Sequence, residues 1–155
     1  FSIYFFSRYK KLSFLYLSDL VSVVAPIGLF LGRIANFINT ELIGKPTEFY
    51  ISVIYPSIDN IPRHPSQLYE AFFEGFILFI ILILNFLRNK ESRNFGVLSG
   101  IFLLNYGIFR FFIEYLREPD AHLGLIFNFI SMGQLLCIPL LIFGMLLIYY
   151  NARKK

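Results

Sequence analysis

The apolar positions of this chain come in long blocks. Residues 19–38, 67–87, 96–117 and 129–150 each approach or reach the roughly 20 residues a helix needs to cross bilayer hydrocarbon. A fifth apolar run, Phe1 to Ser7, is too short to cross and reads as the end of a truncated helix. The expected fold class is an all-α polytopic membrane protein, with about four full transmembrane helices plus that truncated end. It forms a single transmembrane domain over residues 1–155, the C-terminal part of a larger one whose N-terminal helices are missing.

The element boundaries carry their own signals. Ser66 follows Pro65 and is a plausible N-cap for the second span, Gly96 precedes the third, and Pro119 cannot continue it. Pro26 predicts a kink in the first span, where Ala25, Gly28, Gly32 and Ala35 make a small-residue stripe that would let another helix approach closely. The loop 39–66 holds Gly44, Pro46, Pro56, Pro62 and Pro65, and the alternation in EFYISVIYP suits a short strand or hairpin there.

Composition narrows the class further. With 57% hydrophobic, 19% aromatic and only 15% charged residues, a soluble domain has no means of hiding its apolar surface. The net charge of +4 does not imply nucleic acid, because the basic residues sit at span ends. Arg8, Lys10, Lys11, Arg88, Lys90, Arg93, Arg153, Lys154 and Lys155 fall on one side. Lys45, Arg63 and Arg117 fall on the other, among Glu41, Glu48, Asp59, Glu118 and Asp120. The positive-inside rule then puts the C-terminus in the cytoplasm and the loops 39–66 and 118–128 outside. The single cysteine, Cys137, lies in an apolar run; it permits no disulfide within the chain and reads as a packing residue.

Against this background the buried charges stand out. Arg33 lies roughly 8 Å below the outer boundary of its span, Arg110 about 10 Å and Glu74 about 12 Å. Gln67, Glu70 and Glu74 share one face of the second span, and Tyr106, Arg110, Glu114 and Arg117 form a stripe on the third. A charge at membrane depth costs several kcal/mol unless partnered, so each such residue needs a reason. Arg110 and Glu114 can neutralise each other, Arg33 can tie two helices through Glu70 or Glu74, and Asn36 can serve as interhelical glue. Two arginines at one depth suggest more, since a guanidinium fork fits phosphate oxygens bidentately, and a lipid headgroup is the obvious anion there. His64 and His122 are loop histidines, a position more often solvated than catalytic.

Four blocks carry a family resemblance, in family order and across most of residues 19–144. GRIANFINTELIGKPT (32–47), RHPSQLYEAFFEG (63–75), YGIFRFFIEYLREPD (106–120) and the weaker GQLLCIPLLIFG (133–144) resemble the prolipoprotein diacylglyceryl transferases. The resemblance implies a multi-pass enzyme of the bacterial inner membrane with a site open to the periplasm and no metal or organic cofactor. Its implied reaction moves an sn-1,2-diacylglyceryl group from phosphatidylglycerol to the lipobox cysteine thiol of a prolipoprotein, whose signal peptide is thus a partner together with the bilayer, and releases glycerol 1-phosphate. Arg33, Asn36, Glu41 and Gly44 take the phosphatidylglycerol-binding positions, Arg33 on the headgroup. Tyr106, Arg110, Glu114 and His64 take the catalytic ones. Ala35 stands where many members have glycine. The resemblance also implies upstream helices with a His-Gly-Gly block, so the activity it implies is that of the complete protein.

For that reaction the arginines suit stabilisation of a leaving phosphate, with Glu114 orienting Arg110 and with Asn36 and Tyr106 donating hydrogen bonds. The base stays open between the upstream histidine, His64 and, third, Glu70 or Glu74. Two rival readings of the same residues are a transporter or channel and a non-catalytic subunit that binds anionic lipid.

Overall fold

A computed structural model describes residues 1–88, 94–118, 125–126 and 130–152. Lys90, Arg93, Asp120, His122, Arg153, Lys154, Lys155 and most of the loop 118–128 lie outside the described residues. A short helix α1 (Ser2–Lys10) leads into α2 (Phe14–Ile38). A loop follows, carrying β1 (Val53–Ile54) paired antiparallel with β2 (Pro62–Arg63), so the hairpin expected from the alternating segment is present. The second span is one continuous helix built of α3 (Ser66–Glu70), a π-helical stretch (Ala71–Ile77) and α4 (Leu78–Arg88). Then come α5 (Val97–Ile113), the paired strands β3 (Leu125–Ile126) and β4 (Ile130–Ser131), and α6 (Met132–Ala152).

Three helices among the described residues are long and apolar enough to cross a membrane: Phe14–Ile38, Ser66–Arg88 and Met132–Asn151. The fourth expected span is shorter. Helix α5 is apolar but ends at Ile113 after 17 residues, because the chain then turns to form an isolated bridge between Arg117 and Gly44. Glu114, the C-cap of α5, keeps the helical stripe of Tyr106 and Arg110, its N–H donating to the Arg110 carbonyl (3.1 Å), whereas Arg117 lies beyond the helix in the bridge.

The buried hydrophobic core is small: Val23 of α2 with Leu78 and Leu82 of α4, flanked by Leu98, Ile101, Phe102, Tyr106 and Phe109 of α5. Most other large apolar side chains face outward, as hydrocarbon rather than water demands. Helices α5 and α6 cross where Gly100 and Gly144 meet backbone to backbone, each without room for a methyl group. At the two glycines of the α2 stripe no such contact is made among the described residues. A Cβ added at Gly28 or Gly32 would meet nothing within 4 Å outside its own stretch of helix among the described residues. The close approach on α2 is made from a different face, where a Cβ on Gly75 would come within 2.6 Å of Phe30 Cβ. Pro26 is accommodated inside a continuous α2.

The second span starts at Ser66 and the third after Gly96, both as expected, but their capping is not local. Ser66 does not cap the second span; its hydroxyl donates to the Leu42 carbonyl (3.0 Å) and pins the loop instead. The start of α5 is capped from another helix. Asp19 of α2 accepts from the backbone N–H of Gly96 and of Ser99 (both 2.7 Å) and from the Ser99 hydroxyl (2.7 Å). These are donors that the first turn of a helix leaves without intrahelical partners. Asp19→Ala is expected to destabilise the protein by about 2 kcal/mol, the upper range for a lost cap. Denaturant titration in detergent checks it, and an unchanged midpoint would mean that water replaces the carboxylate.

Candidate functional site: a buried guanidinium–carboxylate cluster

Glu70 and Glu74 are wholly buried at the junction between α3 and the π-helical stretch. Their helix packs between α2 and α5, and each neighbour aims one arginine at them. Arg33 Nε lies 2.9 Å from Glu70 Oε2, and Arg33 Nη2 lies 3.4 Å from Glu74 Oε2. From α5, Arg110 Nη1 lies 2.5 Å from Glu70 Oε1 and 3.8 Å from Glu74 Oε1, while its Nη2 reaches Glu114 Oε2 at 2.9 Å. Glu70 is thus gripped by both arginines through separate oxygens, and Glu74 is held more loosely by the same pair. π-Helical stretches occur often at functional sites, and this one carries Glu74.

Two guanidiniums here face three carboxylates, and of the carboxylates only Glu114 keeps accessible side-chain surface, 10%. Glu70 and Glu74 have no accessible side-chain surface, whereas Arg33 and Arg110 keep 16% and 12%. A guanidinium has five N–H donors. Among the described residues, Arg33 Nη1 and Arg110 Nε donate no hydrogen bond, and Arg33 Nε meets Glu70 as an ion pair without hydrogen-bond geometry. The carboxylates therefore hold the arginines while leaving some of their donors without a hydrogen bond.

The other expected site residues fall into two groups. Tyr106 stacks on Phe102 (5.8 Å between ring centres) and lies within electrostatic reach of Glu74, Arg110, Arg33 and Glu70, so it belongs with the cluster. Asn36 stands one turn beyond Arg33 on α2, and its carbonyl accepts the Glu41 N–H (2.9 Å). Glu41, Gly44 and His64 lie in the loop layer above. The Glu41 side chain is exposed, and its carbonyl accepts Gln67 Nε2 at 2.6 Å. Gly44 is bridged to Arg117 and packed against His64 so tightly that a Cβ would come within 2.2 Å of the His64 carbonyl oxygen. That spacing explains why glycine occupies the position. The His64 ring stands 3.4 Å (Nδ1) from the Tyr69 hydroxyl and faces Phe49, not the ion cluster.

The loop layer is itself stitched by charge. Arg63 donates from Nη2 to Asp59 (2.7 Å), from Nη1 to the Gly44 carbonyl (3.1 Å) and to Glu118. Buried Gln67 ties it to the second span, accepting from the Tyr55 hydroxyl (3.2 Å), and burial raises the Tyr55 pKa. The Arg63 guanidinium holds the Asp59 carboxyl below its ordinary pKa. A carboxyl depressed on folding stabilises above its unfolded pKa, near 3.9, and that contribution is lost as pH falls through the folded value. The Ile61 amide, which donates to Asp59 Oδ1 (3.1 Å), is expected to keep its exchange protection at neutral pH and lose it in acid, after correction for the intrinsic rate. Protection that stays flat down to pH 3 would show that Asp59 does not hold the loop.

Several residues of this architecture were not expected from sequence: Gln67 as a loop tie, Asp19 as an interhelical cap, and Ser131, which donates to Glu114 Oε1 at 3.0 Å. Ser131 had a legible signal, since serine followed three residues later by glutamine before an apolar run is the pattern of a capping box.

A helical membrane protein whose facing spans bury a shared arginine–glutamate cluster beneath a stitched loop is the class this geometry defines. The family model for prolipoprotein diacylglyceryl transferase matches residues 1–150, and the chain belongs to that family. Phosphatidylglycerol–prolipoprotein diacylglyceryl transferase of Rickettsia akari (strain Hartford) is 53% identical over 151 residues, 97% of this chain and 58% of that protein. The proteins of the same name from Rickettsia felis (strain ATCC VR-1525 / URRWXCal2) and Rickettsia bellii (strain OSU 85-389) are each 52% identical, over 97% and 94% of this chain and 58% and 55% of their own lengths. The chain thus spans somewhat more than half the length of these relatives.

Proposed function

We propose that the complete protein to which this chain belongs transfers an sn-1,2-diacylglyceryl group from phosphatidylglycerol to the lipobox cysteine thiol of a prolipoprotein. The single observation that carries the reading is the buried cluster. Two arginines from different helices are fixed by carboxylates so that unspent N–H donors remain at its accessible edge. In a water-poor site such preorganised donors stabilise a developing anion strongly.

In the proposed reaction the thiolate sulfur attacks glycerol C3 of the lipid. The sulfur–carbon bond forms, the carbon–oxygen bond breaks, and the electron pair leaves on the phosphate of glycerol 1-phosphate. Arg33 and Arg110 bind that phosphate and take up its growing charge, Glu114 orients Arg110, and Asn36 and Tyr106 donate to headgroup oxygens. The thiol proton goes to a base. His64 stands against Tyr69 and Phe49, so the upstream histidine implied by the family resemblance is the base of this proposal. The cluster faces the periplasmic side of the inner membrane, the C-terminus is cytoplasmic, and Val97–Ile113 crosses as a fourth span.

The test is incubation of the complete protein, in vesicles of phosphatidylglycerol, with a lipobox peptide. The expected result is a peptide heavier by one diacylglyceryl group, with stoichiometric glycerol 1-phosphate. An unmodified peptide with phosphatidylglycerol still bound would favour the lipid-binding subunit instead.

A further inference from the structure

Helix α6 brings no charged side chain to the cluster, yet its first turn touches it. Ser131 and Gln134 form a reciprocal capping box. The Gln134 N–H donates to Ser131 Oγ (3.1 Å), and the Ser131 N–H donates to Gln134 Oε1 (3.1 Å). Such a box satisfies two N-terminal donors of a helix. Its consequence lies in the hydroxyl proton. With the Ser131 oxygen engaged as acceptor, its O–H is directed outward, and it donates to Glu114 Oε1 at 3.0 Å. The other oxygen of Glu114 holds Arg110 Nη2 at 2.9 Å. Gly133 closes the arrangement from the opposite side, since a Cβ there would come within 2.6 Å of Glu114 Oε1. Gln134 further anchors the turn by donating from Nε2 to the Phe111 carbonyl (3.4 Å), one residue from Arg110.

We infer that Ser131 is a positioning residue for the reaction: the capping box of α6 aims its hydroxyl at Glu114, and Glu114 thereby fixes the guanidinium of Arg110. The inference rests on the proposed function for its chemistry and on these contacts for its geometry. Glu114 follows the end of α5, where a side chain is held less firmly than in mid-helix. Without the Ser131 donor it would keep Arg110 as a partner but lose the second point that sets its plane. Capping and positioning are separable, because glycine serves as an N-cap almost as well as serine but has no hydroxyl. Threonine has both properties.

The test uses four versions of the complete protein: unsubstituted, Ser131→Gly, Glu114→Gln, and the double variant, with Ser131→Thr as a rescue control. Two quantities are read on each, diacylglyceryl transfer to a lipobox peptide and retention of phosphatidylglycerol by native mass spectrometry. Ser131→Gly is expected to lower kcat about 10- to 100-fold, the range for a lost hydrogen bond to a charged group. Thermal unfolding should stay close to that of the unsubstituted protein, and Ser131→Thr should recover most of the rate. In the Glu114→Gln background the same change should cost less than about threefold, since residues acting through one another are non-additive. Lipid retention should show the same non-additivity. Multiplying losses, or a Ser131→Gly rate within twofold of the unsubstituted protein, would overturn the inference. If the unsubstituted protein transfers nothing, the functional reading fails separately. The linkage is then judged by lipid retention alone, where additive losses or no loss in Ser131→Gly overturn it.

Discussion

Lysine in place of Arg33 is expected to lower diacylglyceryl transfer by the complete protein about 10²- to 10³-fold, the cost typical of removing one preorganised donor from a developing oxyanion. Arg33 uses Nε and Nη2 on Glu70 and Glu74 and keeps Nη1 for another partner. An ammonium is a point charge on a flexible stem and offers no such division of labour. If it stays with Glu70, the phosphate loses a donor; if it turns to the phosphate, Glu70 loses one of its two cations. Insertion should survive, because the charge and the apolar length of Phe14–Ile38 are unchanged. Transfer rate and the amount of protein in the membrane fraction are measured side by side. Near-normal transfer by a well-inserted Arg33→Lys protein would reject Arg33 as a preorganised donor to the phosphate.

The second large effect concerns the carboxylate between the arginines. Glu70→Ala is expected to destabilise the protein by about 3–5 kcal/mol, the cost of leaving buried charge uncompensated when one partner is removed. Glu70 meets Arg33 at 2.9 Å and Arg110 at 2.5 Å, whereas Glu74 meets them at 3.4 and 3.8 Å. Glu74→Ala should therefore cost distinctly less, although both side chains are equally buried. Unfolding titrations of the two variants in one detergent decide the matter. Equal losses would mean that total charge, rather than the Glu70 bridge, holds the helices together.

Much of this site could be read one residue at a time. Arg33, Arg110, Glu70, Glu74 and Glu114 were recognisable because a charge in an apolar run demands a partner, and helical spacing told which of them share a face. The pairing of Arg33 with Glu70 and Glu74 and of Arg110 with Glu114 follows that logic. Spacing did not reveal that Glu70 is shared by both arginines, because that depends on how α2 and α5 sit on either side of one helix. The loop residues were harder still. Gln67 lies on the same buried face as Glu70 and Glu74, yet it binds Tyr55 and the Glu41 carbonyl, because the loop folds down over the first turn of its helix.

By itself the amino-acid sequence determined the membrane class, the approximate spans, the hairpin and the presence of buried charges. These are local matters, governed by transfer of side chains out of water and by backbone hydrogen bonding within one segment. Tertiary structure alone decided that α5 stops at Ile113 where the chain turns to pair with Gly44, that the close contact on α2 is at Phe30 rather than along Gly28 and Gly32, that Asp19 caps a helix remote in sequence, and that Ser131 reaches Glu114. Each is a meeting of groups from different elements. Hydrocarbon drives helices to insert but does not choose which faces touch; packing and the need to satisfy buried polar groups make that choice.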